Sequence, residues 1–304
     1  MQKLKNRPDV SVVMITWGHE KFIEQAIEGV LNQSFDGRIE LLISNDCSPD
    51  NTNQVITSYL ANRPVPPHIE IRYFNHNKNR GSMKNFIWTI CKSEGSYIAV
   101  CEGDDYWTDP EKIQKQVNFL RDNQDCNLVY HRVMLWHEDG SLKEEDLNKA
   151  NESYKRSVEE LAEMGNFMHT ASVMFRNNIE FPENLKFTHV GDYPIWFLNG
   201  EVGKFGYLPE FMGVYRLWSG SIWGTKGLSY KGLNWLGVLS GLVRYTRDKN
   251  LKKLLKLQAA NVFTWISFQE LDRKQKFRLL RYIFQLKPSL LAQMVGKAMG
   301  KYNK

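Results

Sequence analysis

The sequence predicts an α/β fold: a doubly wound, mainly parallel sheet followed by a helical C-terminal extension. Three observations carry this. Through the first 130 residues short apolar, β-branched runs alternate with amphipathic helical segments. The loops that follow those runs are polar, at the edge where open parallel sheets bind their ligands. From about Ser229 onward helical periodicity replaces the alternation.

VSVVMIT, residues 10–16, is too short for a helix and reads as a strand buried on both faces. In EKFIEQAIEGVLNQ, which follows it, Phe22, Ile23, Ala26, Ile27, Val30 and Leu31 fall at helical spacing. IELLISND (39–46), a helix near 52–61, IEIRYF (69–74), a helix near 82–92 and SYIAVCE (96–102) complete four β–α units. After residue 126 the pattern changes. NLVYHRVMLW reads as a strand, 137–155 as a polar, charged loop, SVEELAEM as a short helix and TASVMFR (170–176) as another strand. GDYPIWFLNG reads as a short helix, GKFGYLPEFMGVYR as hairpin-like, and the helical remainder is interrupted at Lys287-Pro288.

Composition narrows the class. The four cysteines lack CxxC spacing and the N-terminus does not resemble a signal peptide, so reduced, mostly buried thiols in a cytosolic protein are expected. No run approaches the ~18–20 apolar residues that a spanning helix needs. From Leu251 to Lys304 there are 12 Lys/Arg against two acids, whereas the rest of the chain is net negative. The positive charge therefore points to a partner for the tail, not to a nucleic-acid-binding body.

The densest chemistry lies in CEGDDYWTDP, residues 101–110. Thr108-Asp109-Pro110-Glu111 has the form of a capping box, which predicts a helix over 109–122 and explains Asp109 and Glu111. Glu102, Asp104 and Asp105 stand between strand end and cap without such a reason. Carboxylates spaced this closely repel unless a cation lies among them. Hard oxygen ligands suit Mg²⁺ or Mn²⁺, with substrate phosphates completing the shell. The loop NHNKNRGSMKNF (75–86) adds Lys78, Arg80 and Lys84 around Gly81, so acidic and basic loops meeting on one edge would suit a metal-bridged polyphosphate.

Taken together, VSVVMITWGHEKFIEQAIEGVLNQ, LLISNDCSPDNT, NRGSMKNF and CEGDDYWTDPEKIQKQ resemble family 2 glycosyltransferases of the GT-A (Rossmann-like) fold, over roughly residues 8–220. The resemblance implies inverting transfer of a sugar from a nucleotide-activated donor, often a UDP-sugar, to a hydroxyl. It implies that Thr16, with Trp17 and Glu20 beside it, contacts the nucleoside, that Asp46 hydrogen-bonds the base, and that Gly81, Lys84 and Asn85 lie beside the nucleotide. Glu102-Gly103-Asp104-Asp105 corresponds to the DxD region: Asp104 or Asp105 would bind Mn²⁺ or Mg²⁺, and Glu102 would face ribose or metal. Gly191-Asp192 corresponds to the segment with the general base, which makes Asp192 the catalytic candidate and His169 and His189 its rivals. Residues 1–225 would then form the catalytic domain, with a nucleotide-binding half (1–126) and an acceptor-binding half (127–225), and 226–304 the basic helical extension.

The chain departs from the family pattern at Gly18, where many relatives have Asn, at Glu102 in place of Asp, and at Trp218, where relatives often have His. Arg216 and Ser221 then remain as diphosphate contacts, and Trp196, Trp218 and Trp223 as an acceptor platform. The tail, with Lys/Arg among Phe, Leu, Ile and Met, reads either as a cap packed on the catalytic domain or as a segment lying peripherally on an anionic membrane. The membrane reading would suit a polyprenyl-linked acceptor in surface polysaccharide assembly. A sugar-1-phosphate nucleotidyltransferase is the rival enzyme, but it would show a Gly-rich, basic loop after the first strand, unlike TWGHEKF. A non-catalytic nucleotide- or glycan-binding protein is the other rival, opposed by the intact Asp46, Asp104 and Asp192.

Overall fold

The computed structural model describes residues 7–147, 154–182, 192–221 and 226–289. Strand β1 (Val10–Thr16) is buried along its whole length, and its alternating side chains serve two cores. Val13 and Ile15 enter one, Val10, Val12 and Met14 the other. Helix α1 (Ile23–Leu31), β2 (Ile39–Asn45), α2 (Thr52–Asn62), β3 (Ile69–Asn75), α3 (Ser82–Ile90) and β4 (Tyr97–Val100) follow, as the apolar periodicity requires. The four strands are parallel in the order β3-β2-β1-β4, with Val10 opposite both Ile39 and Tyr97. Their carboxyl ends therefore bring the polar loops to one edge.

The second half extends the same sheet. It contains β5 (Tyr106–Trp107), α4 (Lys112–Asp122), β6 (Cys126–His137), β7 (Leu142–Glu144), β8 (Lys155–Arg156), α5 (Val158–Met164), β9 (Met174–Arg176), α6 (Asp192–Val202) and β10 (Lys204–Leu217). The order continues β4-β9-β6-β10-β5; β9 is antiparallel to both neighbours, whereas β6 and β10 run parallel. Helices α7 (Leu228–Tyr245), α8 (Lys249–Val262) and α9 (Arg273–Leu286) close the described chain. Their Leu233, Leu236, Leu255 and Ile283 share a core with Val13, Tyr193 and Trp196, so the helical segment packs on the sheet.

Several elements differ from the sequence-based expectation. The helix expected over 109–122 begins at Lys112, with no side-chain cap. Thr108 is held extended by its N–H to the Met212 carbonyl, and the Asp109 carboxylate accepts the Glu111 N–H and pairs with Lys115. The strand expected at 170–176 opens as a 3₁₀ turn, Thr170–Ser172, because Ser172 donates both its N–H and its hydroxyl to the His169 carbonyl. The expected hairpin at 203–216 is one long strand along β6, whose register shifts between Leu208 and Phe211. Pro209, lacking an N–H, lies in that shift, where a bulge accommodates it. Within the expected loop 137–155, β7 and β8 pair with β6 and β10, and 148–153 lie outside the described residues. All four cysteines are free, but only Cys101 and Cys126 are buried; Cys47 and Cys91 are exposed.

Helix α1 reaches the acidic loop through Gly29, where an added Cβ would stand 2.9 Å from both the N and the O of Trp107. Gly29→Ala should therefore force α1 off β5 and destabilise the fold by about 1–3 kcal/mol, read as a lowered urea midpoint at unchanged slope.

Candidate active site

The loops after β1, β2 and β3 are tied to one another by their own polar groups. Asp46 donates its N–H to the Thr16 carbonyl, and its two carboxylate oxygens accept the N–H groups of Arg80 (2.8 Å) and Gly81 (2.9 Å). Gly81, at φ +86°, makes the left-handed turn that aims both donors. Gly18 also has a positive φ, +76°, and donates its N–H to Ser48 Oγ. Gly and Asn are the residues that tolerate such a conformation best, and here the position acts through its backbone N–H. Glu20 accepts the Asn51 N–H, and its own N–H goes to Asp50. Asn85 is buried and bonded to Ser44 and His76, which locks α3 to β2. Trp17 and Lys84 are exposed, Lys84 beside a groove formed by Asn75–Arg80.

The acidic turn leaves β4 directly over Thr16. Gly103 donates its N–H to the Ile15 carbonyl, and a Cβ there would stand 2.7 Å from Thr16 Oγ1, so the approach requires glycine. Asp105 is buried; its Oδ1 accepts the Arg216 N–H at 2.9 Å, whereas Oδ2 is buried without a partner. The Arg216 guanidinium lies beneath the turn, 4.7 Å from the Phe22 ring centre and 4.5 Å from that of Tyr106. It donates to the Asp104 carbonyl and to Gln25 Oε1. The Asp104 side chain turns the other way, where its Oδ2 accepts the Trp218 indole N–H at 3.0 Å and lies 3.7 Å from His19 Nε2.

Across this turn stands Asp192, the first residue of α6. Its Oδ1 accepts the Tyr193 N–H at 2.8 Å, and its Oδ2 accepts from Thr170 Oγ1 at 3.2 Å and Asn166 Nδ2 at 3.4 Å. Burial raises its carboxyl above the ordinary range despite these donors. Burial, with the charges of Asp104 and Asp192, pushes Glu102 from near 4.5 up to about 8, and the Thr170 hydroxyl partly relieves it. Asp105 is raised for similar reasons, by burial and by Asp104 and Glu102. The buried imidazole of His169 is held down to about 4, its Nε2 unpartnered and its ring 4.9 Å from that of Tyr215.

The residues expected from sequence thus converge on one edge, but they divide in kind. Asp104, Glu102, Asp192 and Thr16 meet at the acidic turn; Asp46, Glu20 and Asn85 brace the loops; Arg216, read from sequence as a diphosphate contact, is engaged under the turn. Trp196 lies wholly in the core, which removes it from the acceptor platform. Gly191, His189 and Trp223 lie outside the described residues. Sequence reasoning gave no role to His19, Thr170, Asn166 or Gln25; only the spacing of His19 after the first strand could have suggested one. Among the described residues no three His, Cys, Asp or Glu are grouped to hold a metal unaided. A buried unpartnered carboxylate oxygen beside Asp104 still suits a hard cation that brings most of its ligands with it.

The edge thus combines a mostly parallel α/β sheet, carboxylates at its strand ends and an acid at the start of a facing helix. Residues 11–180 match the Glycosyl transferase family 2 profile, and the chain belongs to that family. It is 31% identical over 214 residues to an uncharacterised protein of Mycobacterium tuberculosis, covering 70% of this chain and 60% of that one. It is 27% identical over 135 residues to a Bacillus subtilis protein named for teichuronic acid biosynthesis, TuaG, covering 44% of this chain and 50% of the other. The match thus spans about half to 60% of these relatives' lengths. The fold is that of Staphylococcus aureus TarS, solved with UDP (TM-score 0.65, 14% identity, 91% of this chain and 80% of that one). It is also that of a Pyrobaculum calidifontis mannosyltransferase solved with GDP-Man and Mn²⁺ (TM-score 0.58, 14% identity, 97% of this chain and 81% of that one).

Because Glu102 binds its proton more tightly in the folded chain than in the unfolded one, its contribution to stability is complete below pH 4.5 and is lost as pH rises through about 8. Melting temperature without ligands should fall across that window, and Glu102→Gln should flatten the fall.

Proposed function

We propose that this glycosyltransferase is an inverting, metal-assisted enzyme that transfers a sugar from a nucleotide-sugar, a UDP-sugar in the first instance, to a hydroxyl of a lipid-linked glycan. The reaction would serve cell-surface polysaccharide assembly at the cytoplasmic face of the membrane. The observation that carries the reading is the buried Asp192 carboxylate facing the acidic turn, with the Thr170 hydroxyl between it and Glu102. An acid in that position, raised by burial, takes the proton from the acceptor hydroxyl as the oxygen attacks the anomeric carbon from the side opposite the diphosphate. Thr170 and Asn166 fix the orientation of its Oδ2. The loops braced by Asp46 and Gly81 seat the nucleoside, with Trp17, Glu20 and Lys84 at their rim. Asp104 would hold Mn²⁺ or Mg²⁺, whose chemistry is to offset charge on the departing diphosphate. Asp105 fixes the turn through the Arg216 N–H, and its second oxygen, buried without a partner, would be a further ligand for that ion. The TarS structures, one solved with UDP and one with UDP-GlcNAc, support a uridine donor; the GDP-Man and Mn²⁺ bound to the Pyrobaculum enzyme support the metal. Residues 1–225 form the catalytic unit in this reading and 226–304 its basic extension.

A panel of nucleotide-sugars, assayed for hydrolysis and transfer with and without Mn²⁺, tests the proposal. Asp192→Asn should lower kcat by about 10²–10⁴ with little change in KM for the donor. Asp104→Asn should abolish the response to Mn²⁺. Metal-independent turnover unaffected by either substitution would refute the mechanism.

A further inference from the structure

The C-terminal helices carry a surface that the site does not use. Helix α9 buries Leu279, Ile283 and Leu286, yet on its outer face it exposes Phe277 (74%), Leu280 (38%) and Phe284 (68%). These three follow one another at i, i+3 and i+7, so they form a stripe along the helix. Such a stripe in water is unfavourable unless something apolar covers it. Arg273, Lys274 and Arg281 are exposed on the same helix.

Next to the end of that stripe lies a row of lysines. Lys249, Lys252, Lys253 and Lys256 of α8 line a groove with Leu257 and Ala260, and Leu286 and Lys287 at the end of α9 complete it. None of these five lysines has an acidic partner among the described residues. Between residues 249 and 289 there are ten Lys/Arg against Glu270 and Asp272. The sequence then continues through LLAQMVGKAMGKYNK, with three more lysines and no acid.

We propose that this face, α9 with the lysine row of α8, binds the surface of an anionic phospholipid bilayer. Two features of one surface select that partner. The phenylalanines need an apolar phase, which a nucleic acid lacks. The lysines need anions, which a second copy of this positively charged face would not offer. A bilayer supplies both: headgroup phosphates for the lysines and an acyl boundary for Phe277 and Phe284. The inference deepens the lipid-linked acceptor reading by naming the surface that would meet the lipid, but it does not depend on sugar transfer.

Sedimentation of the full chain with vesicles tests it. The protein should pellet with phosphatidylcholine vesicles containing phosphatidylglycerol, stay in solution with phosphatidylcholine alone, and be released by salt. Phe277→Ser/Phe284→Ser and Lys252→Glu/Lys256→Glu should each lower the partition coefficient at least about tenfold. The substitutions are at exposed positions, and an unchanged melting temperature identifies each variant as folded. The same variants should keep wild-type nucleotide-sugar hydrolysis in solution, which separates failure of this proposal from failure of the catalytic one. Wild-type protein that ignores anionic vesicles, binds neutral ones equally, or forms a dimer abolished by the phenylalanine substitutions would overturn the proposal.

Discussion

The arrangement of the catalytic edge depends on one buried cation. Arg216 lies under the acidic turn with its guanidinium over Phe22 and Tyr106, its side chain bonded to the Asp104 carbonyl and its own N–H bonded to Asp105. The turn leaves β4 in the first half of the sheet, and Arg216 sits near the end of β10 in the second. A planar guanidinium with several fixed donors suits this position better than an ammonium would, since it can stack on rings and bond to a carbonyl at once. Part of the repulsion among Glu102, Asp104 and Asp105 is thereby met by the protein itself. Burial first, and then the repulsion that remains, raises the carboxyls of Glu102 and Asp105.

The loops at the other strand ends follow the same logic with neutral donors. Asp46 satisfies two backbone N–H groups of the loop after β3 while its own N–H binds the end of β1. Glu20 and Asp50 bond each other's loops, and Gly18 is tied to Ser48. Carboxylates that would face solvent as isolated charges instead hold the backbone in positions that strand geometry alone does not fix. Two glycines with positive φ, Gly18 and Gly81, allow the chain to turn tightly enough for these bonds to form.

Much of this was legible in the sequence because its signals are local. The first four strands are short β-branched runs between polar loops, and because ligands of such sheets bind at strand ends the acidic turn stands out. What the sequence concealed depends on distant contacts. GYLPEF imitates a hairpin turn, yet the whole of β6 lies beside it and keeps it in one strand with a bulge at Pro209. A Thr108 cap is reasonable locally but loses to the strand hydrogen bond that the Thr108 N–H donates to the Met212 carbonyl, over a hundred positions away. Thr170 and Asn166 reach Asp192 across 22 and 26 residues, and no pattern in their neighbourhood points to it. Trp196 reads from sequence as part of an aromatic acceptor platform, but α6 turns it into the core.

The indole at Trp218 gives the acidic turn a further property. It donates one N–H to Asp104 Oδ2 and so orients the carboxylate, but it carries no charge and offers no lone pair to a metal. A histidine there could ligate an ion; a tryptophan cannot. On the proposed mechanism the cation would therefore draw more of its ligands from the diphosphate, and Asp104 would hold it with one oxygen already committed to the indole. His19, 3.7 Å from that same oxygen and with Nδ1 buried and unpartnered, stands where this chain has an imidazole to set beside the carboxylate. On that mechanism the protein orients Asp104 through Trp218, and the substrate complex would offset the part of the charge that Arg216 does not.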